Sequence, residues 1–370
     1  MSTSRRQWIQ ASMGLGLGTL MPTLAHAQSG RALVQILDTS GTQQETARDY
    51  STGWSLAWAK GRQAGGLPVL RTLQTDGTER HLHELLSQVQ ADRSVVGLAG
   101  CAGETCAARV AQWLIKQNSD LPLIAPWLAD DRYDTHPLLH PLFPSRTDQL
   151  RHALTTLQQQ GLKRAAVVYA QPELHEWAKA ALGSQLQLDG MALEHWAARP
   201  GEDVTQLAQR LPYPGVPFYV FLGDTLALAR FTRVLAERHL ERIVVTLADI
   251  DANLLQQVGY AKSVPLVLSQ VVPNPQKAKL PVVQDYQTLL RNLFDEAPGA
   301  MSLAGYLAGR YATTLCQKAG AALDRRDLAA AARTSTKVAL GGFDFLLDKA
   351  RRRNSFLEQN LLGRDGKLVG

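Results

Sequence analysis

Short β-rich runs alternate with longer amphipathic runs along this chain, and the alternation occurs in two successive sets. Strand-like runs at 32–37, 68–73, 94–99 and 122–125 are interleaved with helical runs at 50–64, 80–90 and 105–117. The helical runs carry apolar residues on one face: Trp54, Ala57 and Trp58 in the first, Leu82, Leu85, Leu86 and Val89 in the second. The pattern restarts with a helix at 149–160. Strands at 165–169, 193–196, 218–222, 242–246 and 266–271 follow, separated by helices at 173–186, 204–210, 226–238 and 253–258. Such alternation builds parallel sheets with helices on both faces, because a parallel connection needs a crossover long enough to hold a helix. The fold expected is α/β, with two doubly wound parallel-sheet lobes. Long helices are expected at 282–294 and 302–322, then an antiparallel pair of strands at 343–347 and 356–362. Gly341-Gly342 and Gly363-Arg364-Asp365-Gly366 supply turn chemistry at its ends.

A chain of 370 residues that is 45% hydrophobic can fill two such cores, and its composition excludes a disordered chain, a fibre or a disulfide-stapled miniprotein. The 39 Lys and Arg against 33 Asp and Glu leave +6, scattered except for Arg351-Arg352-Arg353. So mild an excess does not point to nucleic acid.

The N-terminus reads as an export signal over 1–27. Ser4-Arg5-Arg6-Gln7-Trp8-Ile9-Gln10 is a twin-arginine-like block, an apolar stretch covers 11–24, and Ala25-His26-Ala27 is a small-x-small cleavage site. The apolar stretch contains Pro22 and is short for a bilayer span. No lipid-attachment Cys follows, so the expected product is free and extracytoplasmic, in the periplasm. Three cysteines remain, Cys101, Cys106 and Cys316, an odd count that leaves at least one thiol unpaired. Cys101 and Cys106 can bridge only if the local turn allows it.

Open parallel sheets bind ligands beyond the carboxyl ends of their strands. The segment Gly97-Leu98-Ala99-Gly100-Cys101-Ala102-Gly103-Glu104-Thr105 follows a strand and opens a helix. Its amides suit a carboxylate, and its glycines suit tight strand–helix packing equally well. Pro126-Trp127-Leu128-Ala129-Asp130 follows the next strand, with Trp127 as a candidate pocket wall or a packing residue. Tyr169, Thr225, Asp249 and Asp251 close strands of the second set. A carboxylate there can pair with a ligand ammonium or simply cap a helix. Ser40, just after the first strand, completes the candidate set. There is no G-x-S-x-G elbow and no H-E-x-x-H, so no enzyme activity, cofactor or metal is expected. His136 and His140 are four apart, but the prolines beside them argue against a helix that would bring them together. A helix start beside Cys101 would favour its thiolate.

The order of several late segments resembles the type I extracytoplasmic solute-binding proteins of ABC importers, in the branch that includes the leucine/isoleucine/valine-binding proteins. These segments are Leu268-Ser269-Gln270-Val271-Val272-Pro273, Asp285-Tyr286-Gln287, Ser302-Leu303-Ala304-Gly305-Tyr306-Leu307-Ala308-Gly309-Arg310, Leu340-Gly341-Gly342-Phe343 and Leu362-Gly363-Arg364-Asp365-Gly366-Lys367. The resemblance implies two lobes joined by a three-crossing hinge: 28–144 with 273–340, and 145–272 with 341–370. It also implies a small-molecule ligand between the lobes, a membrane permease as partner and a monomeric protein. In amino-acid-binding members a hydroxyl follows the third strand, where Cys101, Ala102 and Gly103 stand here. Another follows the fourth, where this chain has Trp127, Leu128 and Ala129. Leu174 takes the place of an aromatic residue early in the second lobe. Thr225 stands near a second aromatic position, and Asp249 or Asp251 takes the place of the acidic partner of the ligand's ammonium. The implied ligand is amino-acid-like or carboxylate-bearing, with an apolar or aromatic body. The alternative is a ligand-poor relative acting as a periplasmic sensor or adaptor through protein contacts.

Overall fold

Six of the seven residues of β1 (Ala32–Asp38) are buried. Leu33 faces one core, and Val34 and Ile36 face another. This two-residue period with both faces covered is the signature of a central parallel strand. The computed structural model describes residues 30–369 apart from 42–43, 184–189, 295 and 321. The export signal read at 1–27 lies outside the described residues.

The first sheet is built from β1, β2 (Val69–Thr75), β3 (Val95–Ala102), β4 (Leu123–Ile124) and β5 (Leu139–His140). Their order is β2-β1-β3-β4-β5, with every pairing parallel. Helices α2 (Glu79–Ala91) and α3 (Glu104–Lys116) cover one face, and α1 (Gln44–Arg62) covers the other. The chain then enters the second sheet through α4 (Arg146–Gln159), whose start is fixed by a capping box between Ser145 and Asp148. There β6 (Arg164–Tyr169), β7 (Ala192–Ala197), β8 (Phe218–Leu222), β9 (Ile243–Thr246) and β10 (Leu266–Gln270) run parallel. Helices α5 (Pro172–Leu182), α6 (Val204–Arg210), α7 (Thr225–Glu237) and α8 (Ala252–Val258) connect them. Val167 and Tyr169 face one core and Ala166 and Val168 the other, so this sheet is also doubly wound.

The chain next returns to the first lobe with α9 (Pro281–Leu293), α10 (Ala300–Ala319) and α11 (Arg325–Thr334). α10 lies directly against α1. A Cβ on Gly53 would meet the Ser302 carbonyl, and one on Gly305 would meet the Tyr50 carbonyl. α11 and β5 carry no strong sequence signal: α11 is rich in alanine, and β5 has only two residues.

The tail differs from the antiparallel pair expected at 343–347 and 356–362. β12 (Asp344–Leu346) pairs instead with β11 (Lys337–Ala339), across a turn in which Gly341 and Gly342 have φ of 85° and 87°. β13 (Glu358–Leu362) adds antiparallel to β10, and β14 (Leu368–Val369) pairs with β13. Packing explains the difference. Phe345 enters the first lobe's core, with ring centroids 6.0 Å from Phe143 and 6.1 Å from Tyr311. Phe343, Phe345 and Leu347 therefore pack in the same core as α1 and α10, ahead of the crossing that leads to β13.

Arg351-Arg352-Arg353, a bare charge run in the sequence, ties this crossing down. Arg353 bonds Asp134 and the carbonyls of Leu128, Asp130 and Phe143. Arg352, at φ 57°, donates to the carbonyls of Asp134, His136 and Leu139. Arg351 spans Asp134 and Asp148, joining the end of the first sheet to the start of α4.

His140, in β5, is only 2% exposed and neither ring nitrogen has a partner among the described residues. Burial pushes its pKa down to about 3, with Arg352 and Arg333 adding to the effect. The unfolded chain binds this proton near pH 6.5, while the folded chain resists it until about pH 3. Stability from this group is therefore full above pH 6.5 and falls as the pH drops, by up to about 1.4 kcal/mol per pH unit. His140→Leu is expected to remove this slope, read by urea unfolding at a series of pH values. A stability difference from the parent chain that stays constant from about pH 7 to 4 would contradict it.

Candidate functional site

A crevice opens where the carboxyl ends of the two sheets meet the crossing segments. It is narrow and partly open to solvent. Trp127 and Thr46 line it from the first lobe, and the turn from Ala248 to Asn253 from the second. Gln270, Val271 and Val272 on the second crossing and the start of α10 close it. The apolar wall is Trp127, Val271, Val272, Ala300 and Met301.

Local chemistry places each group. Trp127 follows β4 because its N–H donates to the Cys101 carbonyl at 2.7 Å. Its ring packs against Tyr50 and Phe143, with centroids 6.0 and 5.4 Å away. Asp251 caps α8, with Oδ1 accepting from Asn253 and Leu254 N–H at 2.7 and 3.0 Å. The Asp249 carboxylate lies 3.7 Å from the Arg146 guanidinium, which also stacks over Trp177 at 5.3 Å. Gln270 is 3% exposed. Its amide donates to the Ser269 carbonyl at 3.1 Å, and its Oε1 has no partner among the described residues. Behind Thr46, burial raises the Asp49 pKa to about 6; Arg48 opposes the shift, while Asp251 and Glu296 reinforce it.

Of the sequence candidates, Trp127, Asp249 and Asp251 line this crevice. Thr225 stands just behind it, accepting from the Asp251 N–H at 3.0 Å. The rest do not meet there. Cys101 and Ala102 are still within β3, which runs three residues further than its sequence pattern suggests. The Cys101 side chain turns into the core under α2 and α3. Burial pushes its thiol up to about 12, the reverse of the activated thiolate a helix start would favour. Gly103 serves as the N-cap of α3. Leu128 packs into the same core as Cys101, and its carbonyl accepts from Arg353. Ala129 is buried and accepts from the Arg146 N–H. Ser40 sits in the turn after β1, its N–H donating to Asp38. Tyr169 is fully buried and bonds His195 at 3.0 Å. Leu174 packs on the core behind it.

Sequence reasoning missed Gln270, Thr46, Arg146 and Trp177. Gln270 ends a parallel strand, which was signal enough to single it out. Arg146 and Trp177 come together only through the packing of α4 against α5.

Two α/β lobes with a mixed apolar and acidic crevice between them define the two-lobed class of protein to which this chain belongs. Residues 74–358 match the family model described as periplasmic binding protein. The chain belongs to that periplasmic binding protein family. Its structure is similar to an extracellular ligand-binding receptor from Verminephrobacter eiseniae, with a TM-score of 0.81 at 18% identity, over 92% of this chain and 100% of that one. It is also similar to a substrate-binding periplasmic protein from Ralstonia solanacearum, with a TM-score of 0.78 at 21% identity, over 92% and 99% of the two chains. A third similar structure is a branched-chain amino acid transporter substrate-binding protein from Streptococcus pneumoniae in complex with isoleucine. Its TM-score is 0.75 at 12% identity, over 92% of this chain and 98% of that one. No curated protein matches the sequence. Among the described residues no helix is long and apolar enough to cross a membrane.

Proposed function

We propose that this protein is the extracytoplasmic solute-binding component of an ABC importer. It works in the periplasm as a monomer, closes its lobes around a small amino-acid-like solute and presents the closed form to a membrane permease. One observation carries the reading: Trp127 from one lobe and the Ala248–Asp251 turn from the other wall the same crevice, beside the crossing segments. A solute touching both walls stabilises the closed state, and that differential affinity is what drives a hinge. The apolar wall suits an aliphatic or aromatic body, and the acidic turn suits an ammonium group.

Thermal unfolding of the matured protein, freed of copurified ligand, tests this against amino acids, amines, aromatic acids, amides and dicarboxylates. A true ligand at a hundred times its Kd is expected to add about 2.7 kcal/mol of stability. A flat response across the whole panel would remove solute binding and leave a role through protein contacts.

A further inference from the structure

The crevice carries carboxylates and, among its described lining residues, no cationic anchor. No Lys, Arg or His is among its described lining residues, whereas Asp249, Asp251 and the Gln270 Oε1 are. Asp249 is partly answered by Arg146 at 3.7 Å. Asp251 uses Oδ1 to cap α8 and keeps its other oxygen for a donor. A buried acceptor with no partner, such as Gln270 Oε1, is costly unless something donates to it. Trp127 adds an aromatic face, which attracts a cation.

The start of α10 is where an anionic group would otherwise settle, since its N–H groups point out of the helix. That place is already acidic. The Tyr286 hydroxyl accepts from the Gly299 N–H at the α10 N-cap, and Asp49 and Glu296 both act on that hydroxyl. The Asp49 pKa is raised in the same field, which burial, Asp251 and Glu296 create against Arg48. A ligand carboxylate here would meet like charges.

We propose that the crevice is selective for a protonated amine with an aliphatic or aromatic body and no carboxylate. The ammonium donates to Asp251 and Gln270 Oε1, and the body lies on Trp127, Val271 and Val272. This rests on the solute-binding reading above.

Calorimetric titration tests it with two matched sets: leucine, 3-methylbutylamine and 4-methylpentanoate; and phenylalanine, 2-phenylethylamine and 3-phenylpropanoate. The amine of at least one set is expected to bind at least about tenfold more tightly than its amino acid and its acid. Asp251→Asn, which keeps the cap on α8, and Gln270→Leu are each expected to weaken that amine about tenfold or more. An amino acid or acid that binds more tightly than its amine overturns the selectivity and leaves the solute-binding reading intact. So does a ligand from the wider panel that lacks an amine when all six probes fail. No binding by any compound overturns both.

Discussion

Arg353→Met is expected to lower the free energy of unfolding by about 3–5 kcal/mol, because it strands a buried carboxylate. The Arg353 and Asp134 side chains are each 3% exposed and pair at 2.7 Å. The same guanidinium satisfies the carbonyls of Leu128 at 2.9 Å, Phe143 at 2.7 Å and Asp130 at 3.0 Å. Methionine fills much of the volume but donates nothing, so those carbonyls and Asp134 lose their partner together. Arg351 still holds Asp134 at 3.0 Å from its partly exposed side, which limits the loss. Urea unfolding gives the number. The double variant Arg353→Met/Asp134→Leu is expected to regain part of the loss, since it removes the stranded charge. A loss below about 1 kcal/mol in the single variant would show that the pair adds little beyond an exposed ion pair.

Gly305→Ala is expected to cost about 3 kcal/mol, although alanine is the better helix former by about 1 kcal/mol. The added methyl would run into the Tyr50 carbonyl on α1. That obstacle is backbone, so no rotamer change relieves it, and α1 must move away from α10. Gly53 mirrors the contact from the other helix, with the Ser302 carbonyl in the way. Separating the pair would loosen the core that holds Trp54, Tyr286 and Tyr306. Gly41→Ala, at a position with no neighbour within 4 Å, is the control and is expected to stay within about 0.5 kcal/mol of the parent chain. Gly305→Ala as stable as the parent would mean that α1 and α10 can separate at no cost.

The core of the fold was legible because its signal is local and repeated. The strands β1, β6, β8 and β10 are apolar runs between amphipathic helices, and each fell close to its observed bounds. Elements held by a few distant contacts were not legible. β5 has two residues, and its place beside β4 depends on the sheet already being there. α11 is alanine-rich, and its Arg325 reaches the carbonyls of Gln90, Asp92 and Val95, more than two hundred residues away. The tail shows the same limit. Gly341-Gly342 was recognisable as a turn, but its strand partner was decided by where Phe345 could be buried.

The candidate site divides in the same way. Trp127, Asp249 and Asp251 were found because they follow parallel strands, a position the chain order alone defines. The side-chain directions of Cys101 and Tyr169 were not defined by that order. β3 continues past the expected end, so the Cys101 side chain turns into the core, and Tyr169 turns inward to His195.

Hydrophobic periodicity, a property of neighbouring residues, was sufficient to determine the main strands of two parallel sheets and the helices between them, and the resemblance of the late segments supplied the class of the protein. Only the tertiary structure decided that Arg351-Arg352-Arg353 is a hydrogen-bonded tie, buried at Arg353, rather than a solvated charge run. It also decided that Gln270 and Asp251 share one crevice. Both depend on segments far apart in sequence being brought within a few ångströms. That distance sets whether a charge is paired or a polar atom is left without a partner, and no local pattern encodes it.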